Sequence, residues 1–302
     1  WLDMCDSIQP GDLMSQHIHN LPDWLARPLK EQLGDEFAAL ANSLQQAGTL
    51  DLRVNDLNEK RAVVQKELTA AGIVCEPTPY SPWGLRLKGK PSLAKVKAFE
   101  RGAVEVQDEG SQLLALLLDA KRGEMVVDFC AGGGGKTLAL GAAMRNTGRL
   151  YAMDTSAHRL EGLKPRLARS GLSNVHPLAI AHERDDRIKR LSGKIDRVLV
   201  DAPCSGLGTL ARHADARWRI SPETITELVP LQRALLVSLL PLLKPGGQLV
   251  YATCTVHPAE NGELIEAFLA DHPGWLRRQQ WQRWPGPAGG DGFFAALLQA
   301  PG

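Results

Sequence analysis

From about residue 103 onward, the sequence alternates between short apolar runs and longer stretches with helical periodicity. The apolar runs have the length of strands and cover residues 125–130, 149–154, 175–180, 196–201 and 248–253. Helical periodicity covers residues 112–118, 135–144, 157–169, 222–243 and 258–270. This alternation predicts an α/β fold with a parallel, doubly wound sheet and right-handed crossovers. Residues 275–299 are expected to add antiparallel strands at one edge.

The first hundred residues show a different pattern. Apolar spacing predicts helices over 20–47 and 58–71, and alternation predicts short strands over 50–54 and 83–88. We therefore divide the chain into three parts: a helical N-terminal segment, 1–48; a small α/β domain, 49–102; and a large α/β domain, 103–302. Because the sequence starts at Trp1, we expect a truncated or processed chain.

Composition argues against several classes of protein. The chain is 44% apolar and 23% charged, with neither a run of 18 uncharged apolar residues nor an N-terminal secretory pattern. We therefore expect no membrane span and no membrane partner. Five cysteines, an odd number without the spacing of metal ligands, predict no metal site and favour a reducing cytoplasm over a disulfide framework. A monomer is the default expectation.

The net charge of only +1 does not by itself indicate a nucleic-acid-binding protein, but the charges are unevenly distributed. Residues 84–101 hold six basic side chains and one acidic one, and further basic clusters occupy 184–197 and 212–219. Each cluster alone is equally well explained as a solvated face. Together they could follow a phosphate backbone.

A glycine-rich run follows the first predicted strand of the large domain. Its residues are Cys130, Ala131, Gly132, Gly133, Gly134, Gly135, Lys136 and Thr137. The run is not a Walker phosphate loop, because the first glycine of that motif would fall at Cys130, and the dinucleotide pattern fails because it needs glycine at Thr137. What remains is a strand, a loop of small residues and a helix, whose N–H groups can receive a ligand carboxylate.

Asp154 ends the next predicted strand. An acid at this point commonly accepts hydrogen bonds from ribose hydroxyls. The competing explanation is an N-cap for the helix from Ser156 onward. A glycine loop followed by such an acid fits a ligand with both a carboxylate and a ribose, and S-adenosylmethionine has both. We expect this cofactor at the carboxyl ends of the strands, where doubly wound sheets bind ligands.

Two further cysteines, Cys204 and Cys254, lie just after two other predicted strands. If these strands are neighbours, their ends lie roughly 5 Å apart, and both sulfurs can reach one base. A thiolate that adds to carbon 6 of a pyrimidine makes carbon 5 able to attack a sulfonium methyl group. Cysteine suits this step because thiolate is strongly nucleophilic and leaves readily. Asp201 is placed to help accept charge near ring N3.

Taken alone, a free cysteine is more often a small buried apolar residue than a reactive one. We expect this role for Cys5, Cys75 and Cys130. The flanking Pro203, Ser205 and Thr253 instead predict exposed turns at the other two cysteines.

These motifs resemble those of the Sun/Fmu-type family of S-adenosylmethionine-dependent RNA (cytosine-C5) methyltransferases, whose bacterial members modify ribosomal RNA. The matching segments occur in the family's order and cover residues 106–112, 128–137, 201–206, 251–255, 260–261 and 291–294. Residues 52–55 resemble the small RNA-binding domain of these enzymes. The resemblance implies a Rossmann-like methyltransferase sheet, a small RNA-binding domain, and 5-methylcytosine formation in cytoplasmic RNA, with ribosomal RNA as the expected partner.

The resemblance also implies a role for each motif. Cys254 would be the nucleophile at carbon 6, and Cys204 would assist release of the methylated product. Asp201 would contact both the cytosine and the methyl-donor region of the cofactor. The loop from 130 to 136 would hold the methionine part, and Asp154 the ribose.

The sequence departs from the family pattern at two places. The family usually has Cys-Ala-Ala-Pro-Gly-Gly-Lys-Thr, whereas Gly132 and Gly133 stand here in place of Ala and Pro, which predicts a more flexible loop and weaker cofactor binding. The family also often has Gly-Asp after the third strand, to hold the adenine amino group. Glu183 is our candidate for that role.

Two other functions compete with this interpretation. A DNA cytosine methyltransferase would use the Pro-Cys cysteine, Cys204, as its nucleophile, and the complete Thr-Cys motif at Cys254 argues against it. An RNA-binding assembly factor that keeps the fold without turnover would explain the altered glycine loop. The presence of both cysteines and of Asp201 argues against that second alternative.

Overall fold

The computed structural model describes residues 18–286 and 290–302 of the chain. Its first helices are α1 (Asp23–Leu33) and α2 (Phe37–Ser43). Their apolar faces pack against the large domain, since Leu25 and Phe37 share one core with Leu207 and Val256. Residues 1–17 of the predicted helical segment, including Cys5, lie outside the described part of the chain.

A small antiparallel sheet follows these helices. Its strands are β1 (Leu50–Val54), β2 (Cys75–Pro77), β3 (Gly84–Leu87) and β4 (Val104–Val106), in the order β2-β3-β1-β4. Helices α3 (Arg61–Ala70) and α4 (Lys97–Glu100) accompany it, and α3 buries Val64 and Leu68 in the core of the small domain. The predicted strands and helix of this domain are confirmed, although the helix starts at Arg61. Because β4 pairs with β1, the small sheet reaches residue 106, four residues beyond the predicted boundary.

Within the described residues, the larger sheet has seven strands. They are β5 (Met125–Phe129), β6 (Arg149–Asp154), β7 (Val175–Ala179), β8 (Ile195–Asp201), β9 (Leu243–Thr253), β10 (Leu276–Arg283) and β11 (Phe293–Gln299). The order is β10-β11-β9-β8-β5-β6-β7. The strands β7, β6, β5, β8 and β9 run parallel, and β11 and β10 add antiparallel at one edge. The predicted doubly wound sheet and its antiparallel edge are therefore confirmed.

Helices cover both faces of this sheet. They are α5 (Glu109–Leu118), α6 (Gly135–Ala143), α7 (Ala157–Ser170), α8 (Asp186–Lys189), α9 (Ala216–Arg219), α10 (Pro222–Leu239) and α11 (Gly262–Asp271). Two apolar cores lie on the two faces, one containing Val127 and Leu236 and the other Val126 and Leu140.

Two predicted helices of the large domain have an end that lies four residues from the predicted one. The helix predicted over 222–243 stops at Leu239, and a 3-10 turn that contains Pro241 follows, although the helix itself accommodates Pro230. The helix predicted from 258 starts at Gly262. Asn261, just before it, has a non-helical backbone (φ −118°, ψ −109°), and its side chain bonds Thr253 and Thr255 instead.

Among the described residues, one helical stretch, Pro222–Leu242, is long and apolar enough to cross a membrane by length and composition alone. In this fold one face of the stretch packs against the large sheet through Leu235, Leu236 and Leu239.

Candidate active site

A cavity of about 1000 Å³ opens at the carboxyl ends of the parallel strands. Small-molecule sites typically have volumes of about 300–1,000 Å³, so this cavity has room for a nucleoside cofactor beside a base. Every predicted site residue lines it except Gly134. Gly134 lies one layer beneath, where an added Cβ would stand 2.2 Å from Leu163 Cδ1.

The glycine-rich loop presents its backbone to this cavity. Gly132 has a left-handed backbone (φ +55°), and a Cβ at that position would meet no atom within 4 Å. Cys130 is also left-handed (φ 65°), and burial raises the pKa of its thiol well above the ordinary range. The exposed backbone and the N-terminus of α6 can receive a carboxylate. Gly132 does more than make the loop flexible. It allows a left-handed backbone that would strain an alanine at the same position.

Asp154 fixes this loop from below. Its Oδ2 accepts from Gly132 N at 2.8 Å, and its Oδ1 accepts from Ser156 N at 2.7 Å. The N-cap of α7 is Ser156, whose Oγ accepts from Arg159 N, so the competing explanation of Asp154 as the cap is wrong. Each carboxylate oxygen has a second lone pair, which leaves acceptor capacity for ribose hydroxyls.

Cys204 and Cys254 face each other across the ends of β8 and β9. Their sulfurs lie 3.4 Å apart, and Cys254 N donates to Cys204 Sγ at 3.3 Å. Both side chains are half-buried in the cavity wall. The hydrogen bond with Cys254, together with burial, raises the pKa of the Cys204 thiol well above its usual range. Cys204 is therefore a neutral thiol at neutral pH, next to the second sulfur.

A buried polar network beneath the cysteines holds both turns. Glu260 is fully buried and accepts from Ser205 N at 2.9 Å, from Ser205 Oγ at 2.5 Å and from Gln232 Nε2 at 2.9 Å. Ser205 Oγ also lies 2.8 Å from Thr255 Oγ1. Asn261 accepts from Thr253 Oγ1 at 2.6 Å and so fixes the end of β9. These hydrogen bonds thus connect the turn after Cys204 to the turn after Cys254.

Asp201 forms an ion pair inside the cavity. Lys136 Nζ donates to its Oδ2 at 2.6 Å. Burial lowers the pKa of Lys136, but the Asp201 carboxylate outweighs it and raises the pKa overall, so the lysine is charged. The ammonium group also stands 6.0 Å from the ring centre of Phe293. The pair joins the glycine-rich loop to the end of β8, the strand that precedes Cys204.

Glu183 lies at the far end of the cavity, beyond β7, with its side chain 23% exposed. The buried acid in this segment is Asp185, which accepts from Ala181 N and from Arg187 N and caps α8. Asp185 is thus a structural residue, and Glu183 stays the candidate contact to an adenine amino group.

Sequence reasoning missed three residues at the cavity mouth. Arg212 Nε donates to both oxygens of Asp291, at 2.9 and 2.7 Å, and its Nη2 donates to Asp108 Oδ2 at 3.1 Å. Burial and the neighbouring Asp108 raise the pKa of Asp291 to about 6. Both acids fall in segments that resemble the family motifs, and this resemblance could have identified them as site residues. For Arg212, the only indication in the sequence was its place in a basic cluster.

Most side chains of the predicted basic clusters are used internally. Arg217 is buried and donates to the backbone of Asn20 and Leu44. Further members of the clusters form ion pairs: Arg86 with Asp51, Arg101 with Glu59 and Glu67, Arg187 with Asp185, and Arg197 with Glu124. Lys88, Lys90 and Lys95 are exposed and form no ion pair with any residue that the structure describes.

Over residues 18–286 and 290–302, no group of three or more histidine, cysteine or acidic side chains is arranged to hold a metal ion.

The fold and the cavity define a Rossmann-type methyltransferase domain preceded by a ferredoxin-like domain. The chain belongs to the RsmB/F family of 16S rRNA methyltransferases: the family model matches residues 115–299, and the model of the ferredoxin-like domain of RsmF/B-like methyltransferases matches residues 21–94. The predicted fold class and the resemblance to Sun/Fmu-type enzymes are confirmed.

Individual proteins agree with this assignment. The probable ribosomal RNA small subunit methyltransferase B of Synechocystis sp. is 38% identical over 273 residues, which are 90% of this chain and 60% of the relative. The ribosomal RNA small subunit methyltransferase B of Yersinia pseudotuberculosis is 35% identical over 291 residues, covering 94% and 67%. The crystal structure of PH0851 superposes with a TM-score of 0.88 at 33% identity, covering 98% of this chain and 71% of that one. The chain thus spans about two thirds or less of the length of these curated relatives.

Proposed function

We propose that this protein transfers a methyl group from S-adenosylmethionine to carbon 5 of a cytosine in RNA. Small-subunit ribosomal RNA is the proposed substrate class, and the names of the relatives support it. The observation that carries the proposal is the pair of sulfurs 3.4 Å apart in the wall of the cavity that Asp201 and the glycine-rich loop also line. A single base can contact both thiols there.

The residues around the cavity fit the proposed cofactor. When bound, S-adenosylmethionine supplies an electrophilic methyl group. The exposed backbone from Cys130 to Gly135 and the side chain of Lys136 would hold its methionine part, and Asp154 its ribose. Glu183 is the proposed contact to the adenine. This placement leaves the cysteine side of the cavity free for the base.

The proposed chemistry is divided between the two thiols. The Cys254 thiolate forms a bond to carbon 6 of the cytosine, and the electron pair of the 5,6 double bond moves toward carbon 5 and N3. Asp201 contacts the base edge, and the Lys136 ammonium paired with it supplies the positive charge that stabilises this electron pair. Carbon 5 would then bond to the methyl group of the cofactor, with S-adenosylhomocysteine as the leaving group. A base would remove the carbon-5 proton, the bond between carbon 6 and the Cys254 sulfur would break with its electron pair returning to the sulfur, and the double bond would re-form.

The proposed role of Cys204 is in this release step. Its sulfur lies 3.4 Å from the Cys254 sulfur, a distance at which the Cys204 thiol can receive or return a proton during release. The hydrogen-bond network through Glu260 holds the turns that keep the two sulfurs next to each other.

RNA binding is proposed for the small domain and the cavity mouth. The exposed Lys88, Lys90 and Lys95 lie on one short segment of the small domain and are suited to phosphate contacts. The target base must be unstacked to enter the cavity. A cytoplasmic location and a monomeric state stay predictions.

The test is methyl transfer from labelled S-adenosylmethionine to three acceptors: protein-free unmodified 16S rRNA, small subunits that lack the modification, and single-stranded DNA of a matching sequence. We expect label in one of the two RNA acceptors, recovered as 5-methylcytosine. Label in DNA alone would favour the DNA methyltransferase alternative. No label in any acceptor, with no binding of S-adenosylmethionine in calorimetry, would favour a non-catalytic assembly factor.

A further inference from the structure

We propose that the small domain completes the cofactor site: Glu105 on β4, acting through Arg166 on α7, holds the glycine-rich loop in the shape that receives the cofactor. Both are positioning residues. The inference rests on the proposed function, because it concerns the same S-adenosylmethionine site.

Arg166 bridges the two domains with one side chain. Its Nε and Nη2 donate to Glu105 Oε2 at 3.1 and 2.9 Å, and its Nη1 donates to the carbonyl oxygen of Gly133. The Glu105 side chain is only 5% exposed, and Arg166 is 25% exposed and lines the cavity. The planar guanidinium fixes the direction of all three donors, so the position of Glu105 determines where Gly133 is held.

The carboxylate of Glu105 is itself immobilised. Its second oxygen accepts from Arg169, whose guanidinium lies 4.5 Å from the ring centre of Phe99 in the small domain. Arg53, fully buried on β1, is the strand partner of Glu105 and interacts with its charge. Three arginines thus surround one carboxylate at the junction between the domains.

The loop is a segment for which such an anchor matters. Four successive glycines, residues 132–135, have the most backbone freedom of any sequence, so ordering them is costly in entropy. Asp154 anchors the loop at Gly132. Arg166 anchors it one residue later, and Glu105 of the small domain holds Arg166 in place. Gln107, which accepts from Arg53 Nε at 2.6 Å, lines the cavity together with this loop.

This arrangement predicts that cofactor affinity depends on a residue of the small domain that lies outside the cavity lining. Losing the charge-assisted bond to Gly133 is expected to weaken binding by about tenfold. By linkage, any event that moves Glu105 relative to α7 changes cofactor affinity by the same route.

The experiment compares Arg166→Gln, Arg166→Lys and Glu105→Gln with wild type. Calorimetry measures the affinity for S-adenosylhomocysteine, and hydrogen exchange of the ligand-free protein measures opening of the amides of residues 131–135. The matched control is Arg145→Gln, which removes another contact between the domains, to Asp56, away from the loop. Melting temperatures monitor the global fold.

We expect weaker binding and faster loop exchange in Arg166→Gln and Glu105→Gln, an intermediate effect in Arg166→Lys, and wild-type values in the control. If folded Arg166→Gln binds and exchanges like wild type, the inference is overturned. Wild-type protein that does not bind S-adenosylhomocysteine would instead overturn the proposed function. In that case the loop exchange alone decides whether Arg166 holds the loop.

Discussion

Asp128 is a buried carboxylate beneath the glycine-rich loop, and its replacement by asparagine is expected to change how stability depends on pH. The side chain is fully buried. Its Oδ2 accepts from Thr137 Oγ1 at 2.6 Å, and its Oδ1 has no hydrogen-bond partner among the described residues. Burial raises the pKa from 3.8 to about 7, although the Thr137 bond and the charge of Lys136 oppose this shift.

The direction of the effect follows from the raised pKa. Between about pH 4 and pH 7, the native state keeps the proton on Asp128 while the unfolded chain releases it. The free energy of unfolding therefore falls as the pH rises through this window. A shift of about three units, at about 1.4 kcal/mol per unit, corresponds to a cost of about 4 kcal/mol above pH 7.

Urea unfolding of wild type and Asp128→Asn at several values from pH 4 to pH 8 measures this cost. We expect the difference in the free energy of unfolding, variant minus wild type, to grow by several kcal/mol from pH 4 to pH 7.5. A buried amide can add its own cost, but that cost does not depend on pH. Asp119→Asn, which removes an exposed carboxylate, controls for the lost charge. A difference that stays constant across the range would refute the reasoning.

Three further perturbations test separate parts of the account. Glu260→Gln places an amide donor next to other donors in the buried network and is expected to lower the free energy of unfolding, measured in urea, by about 2 kcal/mol. An unchanged unfolding midpoint would mean that the network does not stabilise the protein. Lys136→Met removes the cation beside Asp201 and should slow single-turnover methyl transfer by roughly a hundredfold; an unchanged rate contradicts its role. Gly134→Ala should lower the melting temperature much more than Gly132→Ala, since only the Cβ at 134 clashes, at 2.2 Å from a leucine methyl group. Equal losses would contradict the loop geometry.

Elements whose structure depends on a local sequence pattern could be predicted from the sequence. The strands Leu50–Val54 and Arg149–Asp154 have the predicted bounds, because their apolar runs are long enough to show a period. The strands Cys75–Pro77 and Val104–Val106 have three residues each and show no period, so they were missed. The meeting of the two cysteines was predictable, because neighbouring parallel strands end at one edge.

Contacts that depend on tertiary placement could not be predicted in this way. Glu105, Arg166 and Gly133 come from three separate segments, and no local pattern links a glutamate to a loop in another domain. Likewise, the basic cluster around Arg217 looked like a solvated or phosphate-binding face, yet that arginine is buried against backbone carbonyls. A charge pattern alone does not tell a surface arginine from a buried one.

The most direct test of the central claim is a search for the covalent protein–RNA adduct. Wild type, Cys254→Ala and Cys204→Ala are incubated with the unmethylated substrate RNA and S-adenosylmethionine, then analysed under denaturing conditions. The account predicts an accumulating adduct in Cys204→Ala, because release is impaired, and neither adduct nor 5-methylcytosine in Cys254→Ala. An adduct that persists in Cys254→Ala, or methyl transfer that survives its loss, would contradict the assignment of the two thiols.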